Sequence, residues 1–99
     1  MRVRWTRPAI NDLAAIVRYI RRDSPAAAKR VKAKISERVG RLDAMELRFR
    51  KGVIAGTREI VINPLPYIAV YEVTAKEVRV LHIRHGAQEW PQPDLPSSR

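Results

Sequence analysis

Residues 58–85 read REIVINPLPYIAVYEVTAKEVRVLHIRH, and apolar side chains recur at every second position along three runs of this stretch. Such alternation is typical of β-strands, because successive side chains of a strand point to opposite faces of the sheet. The predicted strands cover residues 58–62, 67–74 and 77–84. Short turns, one of them rich in proline, separate the three runs, so we predict an antiparallel meander.

The part of the chain before the meander predicts a short strand and then helices. Residues 2–5 alternate between polar and apolar side chains, which predicts a short N-terminal strand. Thr6 stands where its side chain could cap a helix, and Pro8 falls in the first turn, where a missing N–H costs little. The apolar residues of this first helix form one predicted buried stripe, which consists of Ile10, Leu13, Ala14, Val17 and Ile20.

A second helix begins directly after the first. Ser24 is its predicted N-cap and Pro25 its first residue. So short a connection predicts that the two helices form an antiparallel hairpin. A weaker strand candidate, residues 53–55, lies between Gly52 and Gly56. The predicted core face of the second helix consists of Ala28, Val31, Ile35, Val39 and Leu42.

These elements predict an α+β fold with the order β-α-α-β-β-β. It consists of an N-terminal strand, an antiparallel helix hairpin and an antiparallel β-meander, with the helices packed on one face of the sheet. We expect residues 1–90 to form a single domain, because 99 residues suffice for one core. Residues 91–99 are rich in proline and poor in apolar side chains, which predicts a flexible tail.

Positive charge is concentrated in the first half of the chain. The formal net charge is +10, and residues 1–56 carry 15 Lys and Arg against 5 Asp and Glu, whereas residues 57–99 carry 5 of each. Basic residues often only solvate a helix, but a one-sided excess favours an anionic or acidic partner. A partner-facing basic ridge is predicted on the second helix, formed by Arg30, Lys34, Arg38 and Arg41.

The composition of the chain excludes several kinds of functional site. The chain has no cysteine, which excludes disulfides, thiolate zinc sites and cysteine nucleophiles. His82 and His85 are a poor metal pair, because residues three apart in a strand face opposite sides. We therefore expect no metal and no cofactor. No run approaches the roughly 20 apolar residues that span a bilayer, and residues 1–7 lack the apolar stretch of a signal peptide. We expect a cytoplasmic protein without a membrane partner.

Three short strings, in their order and spacing, carry a family resemblance. They are GTRE at residues 56–59, PYIAVY at 66–71 and LHIRHGAQEW at 81–90. Together with the helix hairpin, they resemble the RelE/ParE toxin superfamily from about residue 3 to residue 90. The resemblance implies a toxin of a type II toxin–antitoxin pair, neutralised in a hetero-oligomer by its cognate antitoxin. It implies DNA gyrase as the target in the ParE-like branch, and messenger RNA on the ribosome in the RelE-like branch.

The chemistry of RNA cleavage separates the two branches. The RelE-like mechanism implies lysines and arginines along the last strands, yet the matching positions hold Glu59, Val61, Ile68 and Gln88, and the tyrosine position falls near Asp94. This favours a ParE-like gyrase inhibitor without catalytic residues. The alternative is a ribosome-dependent mRNA endonuclease of a second catalytic style, in which the resemblance implies roles for Arg58, Arg84 and His85. A plain nucleic-acid-binding module would explain the charge but not the family pattern.

Strand parity predicts the antitoxin contact. If the core side of the sheet carries Ile60, Tyr67 and Tyr71, both tyrosines are core residues and an apolar patch lies on the opposite face. An open apolar patch marks a protein interface more often than a nucleic-acid interface. An acidic, amphipathic segment of the antitoxin would cover such a surface. The predicted antitoxin-binding residues are Val61, Ile68, Val70 and Glu72.

Overall fold

The computed structural model describes residues 2–43, residues 52–87 and Trp90. The predicted order of elements is confirmed. The predicted tail at residues 91–99 and the position of Gln88 lie outside the described residues. The elements are β1 (Arg2–Trp5), α1 (Arg7–Arg21), α2 (Pro25–Gly40), β2 (Arg58–Val61), β3 (Tyr67–Val73) and β4 (Glu77–His85).

The four strands form one mixed sheet in the order β1-β4-β3-β2. The meander is confirmed, since β2 pairs with β3 and β3 with β4 in antiparallel register. The N-terminal strand β1 joins the sheet beside β4 in parallel register. The helix hairpin is therefore part of the connection that brings the chain from β1 to the meander, as a parallel pair requires a crossover.

Both helices begin where the sequence predicts, but only α2 has a capping bond from its N-cap side chain. The Ser24 hydroxyl accepts a hydrogen bond from the Ala27 N–H at 3.0 Å, which is an N-cap. The Thr6 side chain makes no capping bond. Its hydroxyl instead donates to the Val80 carbonyl at 2.7 Å. Thr6 is therefore the N-cap residue, as expected, but its hydroxyl does not cap α1, because the neighbouring β4 offers it a backbone acceptor.

Residues 53–55 form bends and turns, so the strand predicted there is wrong. The Ile54 carbonyl accepts bonds from both the hydroxyl and the N–H of Thr57, at 2.6 and 3.1 Å. Gly56 has a φ of +82°, in the left-handed region that favours glycine. The two hydrogen bonds to the Ile54 carbonyl and the left-handed Gly56 form a tight turn. Residues in such a turn cannot adopt the extended conformation of a strand.

The core lies between the helices and one face of the sheet. The parity prediction is confirmed, since the buried core cluster contains Ile60, Ala69 and Tyr71 of the sheet and Ile62 directly after β2, and Tyr67 packs against it. From α2 and the turn after it, Ile35, Val39 and Leu42 join the cluster. The predicted core faces of the meander and of α2 are therefore the ones that pack against each other.

The face that α1 presents to the sheet overlaps the predicted stripe only in part. Ala9 is fully buried, and Leu13 and Ile16 pack against the core cluster. Ile10 is 53% exposed and Ala14 is also exposed. The apolar surface of α1 is wider than the strip that the sheet covers, so periodicity alone could not select the buried part. No helix within residues 2–43 and 52–87 is long and apolar enough to span a membrane.

Candidate functional site

A buried ion pair lies on the sheet face opposite the helices. Arg84 Nη2 donates to Glu59 Oε1 at 3.1 Å, and the side chains are only 10% and 2% exposed. The second carboxylate oxygen of Glu59 accepts the Val53 N–H at 3.1 Å. Glu59 belongs to β2 and Arg84 to β4, so the pair bridges β3 and holds the preceding loop against the sheet.

The predicted antitoxin-binding residues flank this pair. Register places Val61 beside Ile68 and Ile68 beside Arg84, which puts them on the expected face. Ile68 is only 8% exposed and Val70 is fully buried, so the expectation of an open apolar patch is wrong at these two positions. Alternation assigns a side chain to a face but does not show what covers that face. Val61 and Glu72 are half-buried, and Glu72 pairs with Arg79 at 3.1 Å.

Trp90 and Asp12 complete the surroundings of this face. The Arg84 guanidinium lies 5.7 Å from the centre of the Trp90 ring, and the His82 ring lies 5.3 Å from it. His82 Nδ1 is 2.9 Å from Asp12 Oδ2, which also accepts the Ile83 N–H at 3.0 Å. β1 pairs only with residues 77–80 of β4. Asp12 therefore accepts a backbone hydrogen bond from a part of β4 that β1 does not reach. Sequence analysis missed it, because its partners are about 70 residues away.

The alternative catalytic residues do not converge. Arg84 and His85 are consecutive in β4 and point to opposite faces. The His85 ring packs edge-on against Tyr67 at 5.5 Å, and its Nδ1 accepts the Ala87 N–H at 3.0 Å. Arg58 pairs in register with Tyr71, four residues along β3 from the partner of His85, or roughly 13 Å at 3.3 Å per residue. Arg58, Arg84 and His85 therefore do not surround one phosphate position.

The predicted ridge on α2 is partly neutralised by its own helix. Arg30 and Arg41 are exposed, whereas Lys34 and Arg38 are half-buried. Glu37 lies 3.9 Å from Lys34 Nζ and 3.7 Å from Arg41 Nη1. Exposed pairs of this kind are worth about 0–1 kcal/mol. The ridge therefore keeps a positive field that is weakened at its centre.

An apolar groove lies on the outer side of the hairpin, where sequence analysis expected core. It has a volume of about 330 Å³. Its floor is apolar and its rim is basic, and no described residue forms an ion pair with the three cations of the rim. The floor consists of Ile10, Leu13, Ala14 and Val17, and the rim of Arg18, Arg21 and Lys32.

These features define a class of protein: a small basic α+β domain whose helix hairpin carries an apolar groove with a rim of cationic side chains. Within the described ranges, no three His, Asp or Glu side chains are grouped so that they could hold a metal ion. The chain belongs to the ParE toxin family, since residues 3–90 match the family model for the ParE toxin of the type II toxin–antitoxin system parDE. The resemblance to the RelE/ParE superfamily is confirmed.

Two curated relatives and one solved structure are similar to the chain. The protein Y4kP of Sinorhizobium fredii is 41% identical over 91 residues, which cover 92% of this chain and 94% of that protein. Toxin RelE2 of Caulobacter vibrioides is 37% identical over 84 residues, covering 85% and 93% of the two chains. A chain of the chromosomal ParDE toxin–antitoxin system from P. aeruginosa superposes with a TM-score of 0.75 at 29% identity, covering 86% of this chain and 95% of that one.

Proposed function

We propose that this type II toxin inhibits growth by poisoning DNA gyrase in the cytoplasm. The observation that carries the proposal is the buried Glu59–Arg84 pair. Cleavage of RNA needs cations that face the scissile phosphate. Here the arginine is matched by a carboxylate, and the neighbouring position on β3 holds the apolar Ile68. A carboxylate at position 59 would repel a phosphate rather than stabilise it.

The competing function is the ribosome-dependent mRNA endonuclease. The name of the relative RelE2 keeps it worth testing. Loss of one preorganised charge contact typically lowers a rate about 10²–10³-fold. Arg58, Arg84 and His85 would have to supply the whole reaction from separate positions on the sheet. The gyrase proposal requires no such convergence, because a poison acts by binding.

We also propose that the cognate antitoxin neutralises the toxin through an acidic, amphipathic segment. Its apolar side would contact Ala14 and Val17 in the hairpin groove, and its carboxylates would meet the cations of the rim. Of the contact residues predicted on the sheet, Val61 and Glu72 are accessible without rearrangement. The groove therefore offers the larger open apolar surface.

The test compares two activities of the same purified toxin. We expect inhibition of gyrase supercoiling and accumulation of cleaved DNA, with intact messenger RNA in a translation reaction run in parallel. His85→Ala should leave gyrase inhibition unchanged. Cleavage of messenger RNA that disappears in His85→Ala would overturn the gyrase proposal and establish the endonuclease.

A further inference from the structure

The outer face of α1 carries an exposed aromatic ring. Tyr19 is 70% exposed, more than any other large hydrophobic side chain of the described ranges. Ala15, Arg18, Tyr19 and Arg22 are spaced so that they share one side of the helix, and they line a shallow open concavity. We call this surface the Tyr19 face. The small side chain of Ala15 leaves space beside the ring.

No carboxylate of the described ranges neutralises the arginines of the Tyr19 face. Neither Arg18 nor Arg22 forms an ion pair with a residue in the described ranges, in contrast to Arg79, which pairs with Glu72 and Glu77. Arg18 lies in the last turn of α1, where a cation also interacts favourably with the helix dipole. That role does not require an exposed tyrosine between two arginines. The exposed ring and two cations that have no ion-pair partner in the described ranges together indicate a ligand.

We propose that the Tyr19 face binds a single-stranded segment of nucleic acid. Tyr19 stacks on a base, and Arg18 and Arg22 contact phosphates on either side of it. Aromatic rings flanked by cations bind single strands in this way, because every base has a π-face and every nucleotide a phosphate. An acidic protein surface would engage the arginines but gain less from the ring, and duplex DNA keeps its base faces stacked. The contact goes beyond gyrase inhibition and does not depend on it.

The test measures binding by fluorescence anisotropy, without gyrase, to a dT₁₂ strand, an rU₁₂ strand, a DNA duplex and polyglutamate. We expect Tyr19→Ala to weaken binding to the single strands about tenfold. Tyr19→Phe keeps the ring and should bind normally. Arg22→Gln should reduce the slope of log K against log salt by about 0.7. Lys29→Gln, the matched control, removes an exposed charge from α2 and should leave the slope unchanged.

Three results would overturn the proposal. They are unchanged single-strand binding in Tyr19→Ala, equal effects of Arg22→Gln and Lys29→Gln, and polyglutamate binding that depends on Tyr19 as strongly as single-strand binding does. The last would assign the face to an acidic protein. Circular dichroism identifies a variant that is misfolded, and Tyr19→Leu, which replaces the ring with an aliphatic side chain, then tests the role of the ring. Comparison of dT₁₂ with rU₁₂ separates DNA from RNA. A negative gyrase assay would leave each of these measurements unaffected.

Discussion

Glu59 and Arg84 are hydrogen-bonded across β3, at 3.1 Å, on the sheet face that the helices do not cover. Ile68 and Val70 of β3 are buried on the same face. The pair therefore links the two strands that flank β3, and it holds the guanidinium of Arg84 in a structural contact. The Arg84 guanidinium is thus bound to a carboxylate of its own chain.

Removing one partner of this pair should destabilise the toxin strongly. Arg84→Met takes away the cation and leaves the Glu59 carboxylate buried, which typically costs about 3–5 kcal/mol. The double variant Glu59→Leu with Arg84→Met should recover most of that loss, because an apolar pair removes both buried charges. Urea unfolding followed by circular dichroism measures both values. A loss below about 1 kcal/mol in Arg84→Met would show that the pair does not contribute to the stability of the fold.

A negative charge in the hairpin groove should weaken antitoxin binding. Ala14 is exposed, so Ala14→Glu keeps the fold and places a carboxylate where we propose that the acidic segment lies. We expect the Kd to rise at least about tenfold, a loss of about 1.4 kcal/mol. The matched control is Ala26→Glu, which changes an exposed alanine of α2 that does not line the groove. Calorimetry that finds Ala14→Glu unchanged and Val61→Asp weakened would place the antitoxin on the sheet face instead.

The basic ridge on α2 should contribute to target binding more than to stability. Its ion pairs with Glu37 are exposed and long, so replacing all four cations by glutamine should change the free energy of unfolding by about 1 kcal/mol or less. Gyrase inhibition should fall, and its dependence on salt should become flatter. Inhibition by the variant that equals wild type at every salt concentration would limit the ridge to solvation. The set replaced is Arg30, Lys34, Arg38 and Arg41.

Ionisation of Glu77 should make the stability of the toxin depend on pH. Hydrogen bonds from Arg79 and Arg4, at 2.7 and 3.1 Å, lower the pKa of its carboxyl below the ordinary value. The ionised form is favoured in the folded state, so its contribution is present above the pKa of the unfolded chain and is lost as the pH falls through the lowered pKa. Glu77→Gln should be less stable than wild type at pH 7, with a gap that closes in acid.

Urea unfolding at a series of pH values measures this gap. Glu37→Gln provides the control, since its partners are farther away and exposed. A gap between Glu77→Gln and wild type that stays constant from neutral pH into strong acid would contradict the assignment to the ionised carboxylate.

The architecture could be predicted from local patterns. The alternation along the meander assigned Ile60 and Tyr71 to the core, and the Ser24-Pro25 pair marked the start of α2, because each signal acts over a few residues. The predicted buried stripe of α1 was only partly correct, for a related reason. An apolar surface wider than its contact does not specify which part is covered, and the sheet covers Leu13 while Ala14 remains exposed.

The sequence alone determined the order of the elements, the faces of the strands and the surplus of positive charge. Only the tertiary structure decided which apolar residues stay exposed and which cations have no ion-pair partner among the described residues. The Glu59–Arg84 bond joins residues 25 positions apart, and the contact of Asp12 with His82 joins residues 70 positions apart. Periodicity extends over one or two turns of a helix or a few residues of a strand. It therefore carries no information about contacts made when distant segments pack together, and those contacts buried Val70 and left Tyr19 exposed.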